Sequence, residues 1–249
     1  MNFFVFTIFP NIIECYCQYG IVHQAIKKGL VYVEAVDLRK YADKGKVDDE
    51  AYGGFPGMVL KPEPIFRAYR EVKEKHPDLY FVSLQPWGRV LKQEVFYELL
   101  KRRTIGILCG RYEGVDERVN VLVDEEISLG DYVLAGGELG ALILIEGITR
   151  LIPGVLSEPK SLEEDSFRRW LGYPVYTRPA EVEGLKVPEV LLSGNHKVLE
   201  LWKLWHSIER TYRKRPDLIP KDLTPLEESM LKAIESGLSF EEWLKAYNF

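Results

Sequence analysis

The first 150 residues alternate between strand-like and helix-like pieces, and this alternation limits the possible folds more than any other feature. The apolar and aromatic run over 2–9 predicts a strand that is covered on both faces. Pro10 begins a helical stretch that reaches Lys28 and is stopped by Gly29. Further strands are predicted at 30–36, 79–84 and 104–110, and further helices at 64–75, 92–102 and 138–151. This order is typical of an α/β fold with a mostly parallel sheet and helices on both faces.

The composition changes after residue 156. The polar, acidic stretch over 157–165 is typical of a linker, and the pattern beyond it becomes helical. The longest predicted helix begins at Asn195 and ends at Lys214, before Pro216. We therefore expect an α/β domain over 1–156, a linker over 157–175 and a small helical domain over 176–249.

Charge and cysteine content exclude several classes of protein. The net charge of −5 argues against a uniformly basic nucleic-acid binder, so any such surface must be local. The three cysteines, Cys15, Cys17 and Cys109, form no Cys-x-x-Cys pair, as expected in a reducing compartment. No basic residues precede the apolar start, and the longest later apolar run is too short to cross a bilayer. We expect a soluble, cytoplasmic protein without a membrane partner.

Three loops rich in glycine follow predicted strands, at 85–89, 109–114 and 128–140. In open α/β sheets, ligands bind beyond the carboxyl ends of the strands. The chain contains neither a G-x-G-x-x-G motif after the first strand nor a P-loop, which disfavours dinucleotide and nucleotide-triphosphate sites of those types. The remaining possibility is a pocket built from loops, whose exposed main chain would bind a flat heterocycle. Glycines that only form turns are an equal alternative.

Charged residues elsewhere have ordinary structural explanations. Mixed charges over 111–118 are typical of a solvated cluster of ion pairs. Arg150 would face the negative end of a helix dipole, and Asp165 would cap a following turn. From the residues alone, these structural roles are favoured over functional ones.

The long C-terminal helix is basic within an acidic protein. Its aromatic residues, Trp202, Trp205 and Tyr212, are interleaved with lysines and arginines, which suits phosphate contacts and base stacking. An amphipathic helix that packs on a core through the same tryptophans is the alternative.

Eight stretches, taken in order, resemble the bacterial TrmD family of tRNA (guanine-N1)-methyltransferases. They are YGGFPGM, CGRYEGVDERV, SLGDYVLAGGE, TRLIPGVL, EEDSF, YTRP, VPEVLLSGNH and KRPDL, and they span nearly the whole chain. The resemblance implies a SPOUT-type enzyme with a deep trefoil knot, which general rules of chain connectivity would not suggest. It also implies S-adenosylmethionine as cofactor, a homodimer with its active site between subunits, and tRNA rather than DNA as substrate. The methylated atom would be N1 of the guanosine 3′ of the anticodon, at position 37.

The resemblance also assigns roles to individual residues. Asp165 matches the general base, Arg150 its partner, and Glu113 a further catalytic position. The implied cofactor residues are Leu84, Gln85, Pro86, Gly88, Gly110, Tyr112, Glu113, Ser128, Leu129, Gly130, Asp131, Tyr132, Val133, Leu134, Gly136 and Gly137. The implied tRNA contacts are Arg111, Ser193, Asn195, His196, Lys197, Lys214 and Arg215. The family is expected to depend on Mg²⁺, although the sequence shows no clear set of metal ligands.

The chain departs from the family pattern at several positions. Gln85 and Trp87 replace the usual serine and glutamine, Phe55 replaces a glycine, and Gly140 replaces a proline. These departures affect individual side-chain contacts more than a pocket built from main chain. The alternative functions are a SPOUT methyltransferase for another RNA, a non-catalytic RNA-binding protein of this fold, and a nucleotide-dependent oxidoreductase.

Overall fold

The computed structural model describes residues 1–158 and 165–247. The chain divides into two compact units, Met1–Pro159 and Lys160–Phe249. Each unit has its own hydrophobic core.

The first unit is built on a five-stranded sheet in the order β2-β1-β6-β5-β7, and every pair of neighbouring strands is parallel. This confirms the predicted α/β class with a mostly parallel sheet. The strands of the unit are β1 (Asn2–Thr7), β2 (Tyr32–Asp37), β3 (Asp48–Glu50), β4 (Met58–Leu60), β5 (Leu79–Val90), β6 (Thr104–Leu108) and β7 (Glu125–Ser128). The helices are α1 (Pro10–Tyr16), α2 (Gly20–Lys27), α3 (Pro62–Lys75), α4 (Gln93–Leu99) and α5 (Glu138–Leu151).

Strand β1 shows why its sequence is continuously apolar. Successive side chains of a strand point to opposite faces of the sheet. Phe3 and Val5 are therefore buried in the core formed with α1, α2, α4 and α5. Phe4 and Phe6 are buried in the second core, on the α3 side of the sheet. Because both faces are covered, the four positions from Phe3 to Phe6 are all apolar.

Two local predictions were wrong in their bounds. The helix expected over 10–28 is two helices, since the chain turns at Gly20, whose φ of +65° is left-handed. Strand β5 continues to Val90 because a bulge after Leu84 lets Arg89 pair again with β7. The strands predicted for this unit also omit β3 and β4, which form an antiparallel pair.

The second unit is mainly helical, as predicted. Its helices are α6 (His196–Lys214), α7 (Pro225–Glu235) and α8 (Phe240–Ala246), and its two short strands, β8 (Glu181–Val182) and β9 (Leu185–Lys186), form a hairpin. The starts of α7 and α8 are fixed by capping boxes at Thr224 and Ser239. Trp202 and Trp205 are buried in the core of this unit, so the structural alternative for these tryptophans is correct.

Part of the predicted linker belongs to the second unit. Residues 159–164 lie outside the described residues, but Trp170 is buried in the core with the tryptophans of α6. The indole of Trp170 donates a hydrogen bond of 2.7 Å to Glu227, and Arg169 forms an ion pair with the same carboxylate at 2.6 Å. Residues 169 and 170, within the range predicted as a linker, thus contribute their side chains to the packing of the second unit.

Candidate functional site

A cleft of about 310 Å³ lies at the carboxyl ends of β6 and β7, beside the irregularity that follows Leu84 within β5. The three glycine-rich loops of the sequence form its walls, at the edge of the sheet where α/β folds bind ligands. Its lining residues are Leu84, Gln85, Pro86, Trp87, Gly110, Arg111, Tyr112, Glu113, Gly114, Ile127, Ser128, Leu129, Gly130, Tyr132, Val133, Leu134, Ala135, Gly136 and Gly137.

The structure brings together all of the predicted cofactor residues except Gly88 and Asp131. Gly88 has a different role, because a Cβ there would lie 2.5 Å from the carbonyl carbon of Glu126 on β7. Asp131 is exposed and outside the lining. Four further residues line the cleft that the resemblance did not assign to the cofactor: Arg111, Gly114, Ile127 and Ala135. All but Ile127 lie within the three glycine-rich loops, so treating each loop as continuous would have found them.

Two adjacent glycines allow the main chain of neighbouring loops to touch. A Cβ at Gly136 would lie 2.1 Å from Nε of Arg111, and one at Gly137 would lie 2.7 Å from Cα of Cys109. The amide of Gly137 donates a hydrogen bond of 3.0 Å to the carbonyl of Gly110. The glycines of the 128–140 loop therefore serve both purposes that the sequence allowed, a turn and a close approach of main chain. Gly130 makes the turn, with φ of +143°, and the glycine pair makes the contact.

Apolar side chains line the cleft together with several glycines, whose main chain is not covered by a side chain. Leu84, Leu129 and Leu134 supply aliphatic surface, and Tyr132 supplies an aromatic face. Tyr112 adds a second ring from a backbone in the left-handed region, with φ of 60°. Such backbone strain in a residue other than glycine is concentrated at functional sites. A flat heterocycle with polar edges fits this combination of surfaces.

Glu113 joins the cleft to the hairpin of β3 and β4. Its amide donates a hydrogen bond of 3.0 Å to the carbonyl of Met58 at the start of β4. A Cβ at Gly57 would lie 2.4 Å from Cγ of Glu113, so the glycine makes room for this side chain. The carboxylate is exposed at the cleft, where it would reach a ligand.

The two other predicted catalytic residues lie in different units. Arg150 is half-buried in the last turn of α5, in the first unit. Asp165 is half-buried in an irregular segment of the second unit, directly before a turn at residues 166 and 167.

The predicted tRNA contacts fall into separate groups. Ser193, Asn195, His196 and Lys197 are exposed around the first turn of α6, where Asn195 caps the helix by accepting a bond from Val198. Lys214 and Arg215 are exposed at the other end of α6, about 27 Å away at 1.5 Å per residue. Arg111 belongs to neither group, because its guanidinium is bound to Glu138 within the first unit.

The described residues offer neither a metal site nor a membrane-spanning helix. Over 1–158 and 165–247, no cluster of three or more histidine, cysteine, aspartate or glutamate side chains could hold a metal ion. No helix in the same ranges is long and apolar enough to cross a membrane.

Comparisons with known proteins point to one family. The model of tRNA (Guanine-1)-methyltransferase TrmD matches residues 1–221. The tRNA (guanine-N(1)-)-methyltransferase of Aquifex aeolicus (strain VF5) is 62% identical over 248 residues, covering 99% of this chain and 96% of the relative. The enzyme of the same name from Persephonella marina is 52% identical over 252 residues, covering 99% of both chains.

A solved structure agrees with these matches. The crystal structure of tRNA (m1G37) methyltransferase from Aquifex aeolicus superposes with a TM-score of 0.75 at 59% sequence identity. The superposition covers 92% of this chain and 99% of that chain. The agreement confirms the fold class that the sequence motifs implied.

Proposed function

The chain belongs to the TrmD family of tRNA (guanine-1)-methyltransferases, and on that basis we propose that its glycine-lined cleft holds S-adenosylmethionine. It is a tRNA (guanine-N1)-methyltransferase, as the family match and the curated relatives show. The observation that carries the proposed site is the close approach of two loops that line the cleft, where a Cβ at Gly136 would meet the side chain of Arg111 and one at Gly137 the backbone of Cys109.

The cleft fits the chemistry of this cofactor. The leucine and tyrosine walls would cover the faces of adenine, and main-chain amides and carbonyls would bind its polar edge. When bound, the cofactor supplies an activated methyl group on a sulfonium. The protein residues then have to exclude water, orient the guanine and move one proton.

We assign the proton transfer to Asp165. N1 of guanine carries a proton near neutral pH and is a poor nucleophile until that proton leaves. A carboxylate within reach of N1 would accept it, a contribution of about 10²–10⁴-fold. Charge then develops on O6, and the guanidinium of Arg150 is suited to stabilise it. Glu113, exposed at the cleft, would orient the substrate.

A magnesium ion enters no step of this proposal. The described residues hold no group of ligands for it, so the residues present do not fit a resident metal.

The tRNA surface is proposed to include both ends of α6. Lysine and arginine side chains there would bind phosphates and leave the guanosine to be recognised at the cleft. The crystallised relative is named for m1G37, and we propose the same position as the target here. A tRNA substrate also favours a cytoplasmic location, in agreement with free cysteines throughout the described chain.

We propose a homodimer in which the second subunit completes the active site. An apolar stripe of the first unit, formed by Ile12 and Tyr16 of α1 with Leu139 and Ile143 of α5, is exposed to solvent. The residues are spaced by four along each helix, so each pair shares one face. An exposed apolar patch of this kind marks a protein interface.

The proposed function is tested by methyl transfer. The protein is incubated with unmodified tRNA and labelled S-adenosylmethionine, and the methylated nucleoside is identified after digestion. We expect 1-methylguanosine at position 37. A different nucleoside would indicate a SPOUT enzyme for another target, and no transfer would indicate a non-catalytic RNA-binding protein.

The Asp165→Asn variant tests the base assignment. The amide cannot accept the proton from N1, so turnover should fall by about 10²–10⁴-fold, while cofactor affinity should stay within about twofold. The matched control is Asp222→Asn, an exposed aspartate of the same unit. Turnover close to that of the control would exclude Asp165 as the base.

A further inference from the structure

Glu138 is a buried carboxylate that the proposed mechanism does not use. It is the first residue of α5 and only 1% exposed. One carboxylate oxygen accepts a hydrogen bond of 2.7 Å from the hydroxyl of Thr7, at the end of β1. The other accepts a bond of 2.9 Å from Nε of Arg111 and lies 2.9 Å from Nη2 of the same side chain. The two partners satisfy a charge whose burial would otherwise be very unfavourable.

Arg111 reaches from this carboxylate across the glycine loop of the cleft. Its Nη1 donates a hydrogen bond of 3.3 Å to the carbonyl of Ala135. Its Nε occupies the space where a Cβ of Gly136 would stand, 2.1 Å away. The guanidinium also lies over the ring of Phe9, 4.6 Å from its centroid. The side chain is thus held from three directions and lies directly behind the main chain of residues 135 and 136.

The same two loops also meet through their main chain. Arg111 and Gly136 form an isolated antiparallel bridge, and Gly137 donates to Gly110 next to it. Both loops line the cleft. Main-chain groups bind a ligand well only when they are held in the right geometry before the ligand arrives, since ordering them on binding reduces affinity.

We propose that Glu138 and Arg111 act as one positioning unit, which holds the 130–137 loop in the shape that binds the cofactor. Arg111 is then a positioning residue for the cofactor, in place of its predicted contact with tRNA. This inference rests on the proposed function, because it names the ligand of the same cleft.

The geometry of a planar fork explains why an arginine is needed. The guanidinium presents several donors at fixed angles, so one side chain reaches the carboxylate and the carbonyl of Ala135 together. A lysine would keep the charge at this position but could not reproduce both contacts.

The test is a double-mutant cycle on cofactor affinity. Arg111→Lys, Glu138→Gln and the double variant are titrated with S-adenosylmethionine by calorimetry, and their thermal unfolding is recorded. Each single variant should weaken binding by about ten- to a hundredfold, as expected for loss of a hydrogen bond to a charged group. The double variant should be no weaker than the worse single one, because both changes disable one unit.

The matched control is Arg118→Lys. Arg118 lies seven residues further along the chain, in the 3-10 helix Glu117–Leu122, and pairs with Asp116 at 2.7 Å, but it is exposed and outside the cleft. Its change should leave the dissociation constant within about twofold of the unmodified protein.

Unchanged affinity in Arg111→Lys, even with a lower unfolding temperature, would show that the pair only supports the fold. Fully additive losses would show that the two residues do not act as one unit. Either result would overturn the proposal. If Glu138→Gln fails to fold, the comparison of Arg111→Lys with Arg118→Lys still decides it.

Measurements of turnover distinguish failure of the proposed positioning unit from failure of the proposed function. A positioning unit for the cofactor should raise the KM for S-adenosylmethionine, while kcat at saturating cofactor stays within about threefold. Binding that weakens in a protein without methyl transfer to tRNA would support the positioning unit and contradict the proposed function.

Discussion

Replacement of Gly137 by alanine tests whether the cleft depends on the contact between its two loops. Gly137 has φ of −82° and ψ of −9°, which alanine adopts without strain. The new methyl group would lie 2.7 Å from Cα of Cys109, and ordinary contact begins at 3.4 Å. The backbone of one loop must therefore move by about 0.7 Å, because a Cα atom has no rotamer through which to escape.

The expected cost follows from two contributions. Overpacking against a backbone costs about 1–3 kcal/mol, and loss of the 3.0 Å hydrogen bond from Gly137 to Gly110 adds about 1 kcal/mol. For a domain of this size, a total of about 2–4 kcal/mol would lower the unfolding temperature by roughly 4–16 °C. Cofactor affinity should fall with it, since the displaced loop lines the cleft.

Thermal unfolding by calorimetry, with Gly110→Ala as control, checks this prediction. Gly110 lies on the other side of the same hydrogen bond, but its Cβ would meet only Cγ2 of Val115 at 3.6 Å. The control should unfold within roughly 2 °C of the unmodified protein. An unchanged unfolding temperature for Gly137→Ala, or an equal decrease in both variants, would refute the steric argument.

Three further predictions concern tRNA binding, assembly and acid stability. Lys214→Glu should weaken tRNA binding and reduce the slope of its salt dependence by about one or more, as measured by filter binding at several salt concentrations; an unchanged slope would exclude this end of α6. Leu139→Asp should convert dimer to monomer in sedimentation equilibrium, whereas Val121→Asp, also at an exposed apolar position of the first unit, should not. The ion pair with Arg169 lowers the pKa of Glu227 to about 2 from an ordinary 4.5, so its stabilisation is present above pH 4.5 and is lost as the pH falls towards 2. Glu227→Gln should therefore remove on the order of 3 kcal/mol at neutral pH and flatten the acid dependence, as measured by chemical denaturation between pH 3 and 7; an unchanged dependence would contradict this role.

Much of the fold could be predicted from local patterns. The strand in β1, the helix over Glu138–Leu151 and the helix ending at Lys214 all follow from periodicity and end signals. These features depend on neighbours within one or two turns, so the sequence contains the information directly. The bounds were missed where a distant partner decides them, as at β5, which β7 extends to Val90.

The location of the candidate site could also be predicted from the sequence. Three glycine-rich loops after three strands indicated a pocket, and the resemblance to the TrmD family indicated its ligand. The sequence left open whether glycine served turns or close approach. The structure answers this at Gly136, whose missing side chain is replaced by the guanidinium of Arg111.

The amino-acid sequence alone was enough to predict the strands and helices of the main sheet, the glycine-rich loops and the family. Which side chains meet depends on the three-dimensional fold. Arg111 and Glu138 are 27 residues apart, and Thr7 and Glu138 are 131 residues apart. They meet because β1 and β6 are neighbours in the sheet and α5 begins beside their carboxyl ends. The spacing of residues along the chain does not predict such a contact between distant residues. The contact results from the pairing of distant strands, which is favoured because it buries apolar side chains on both faces of the sheet.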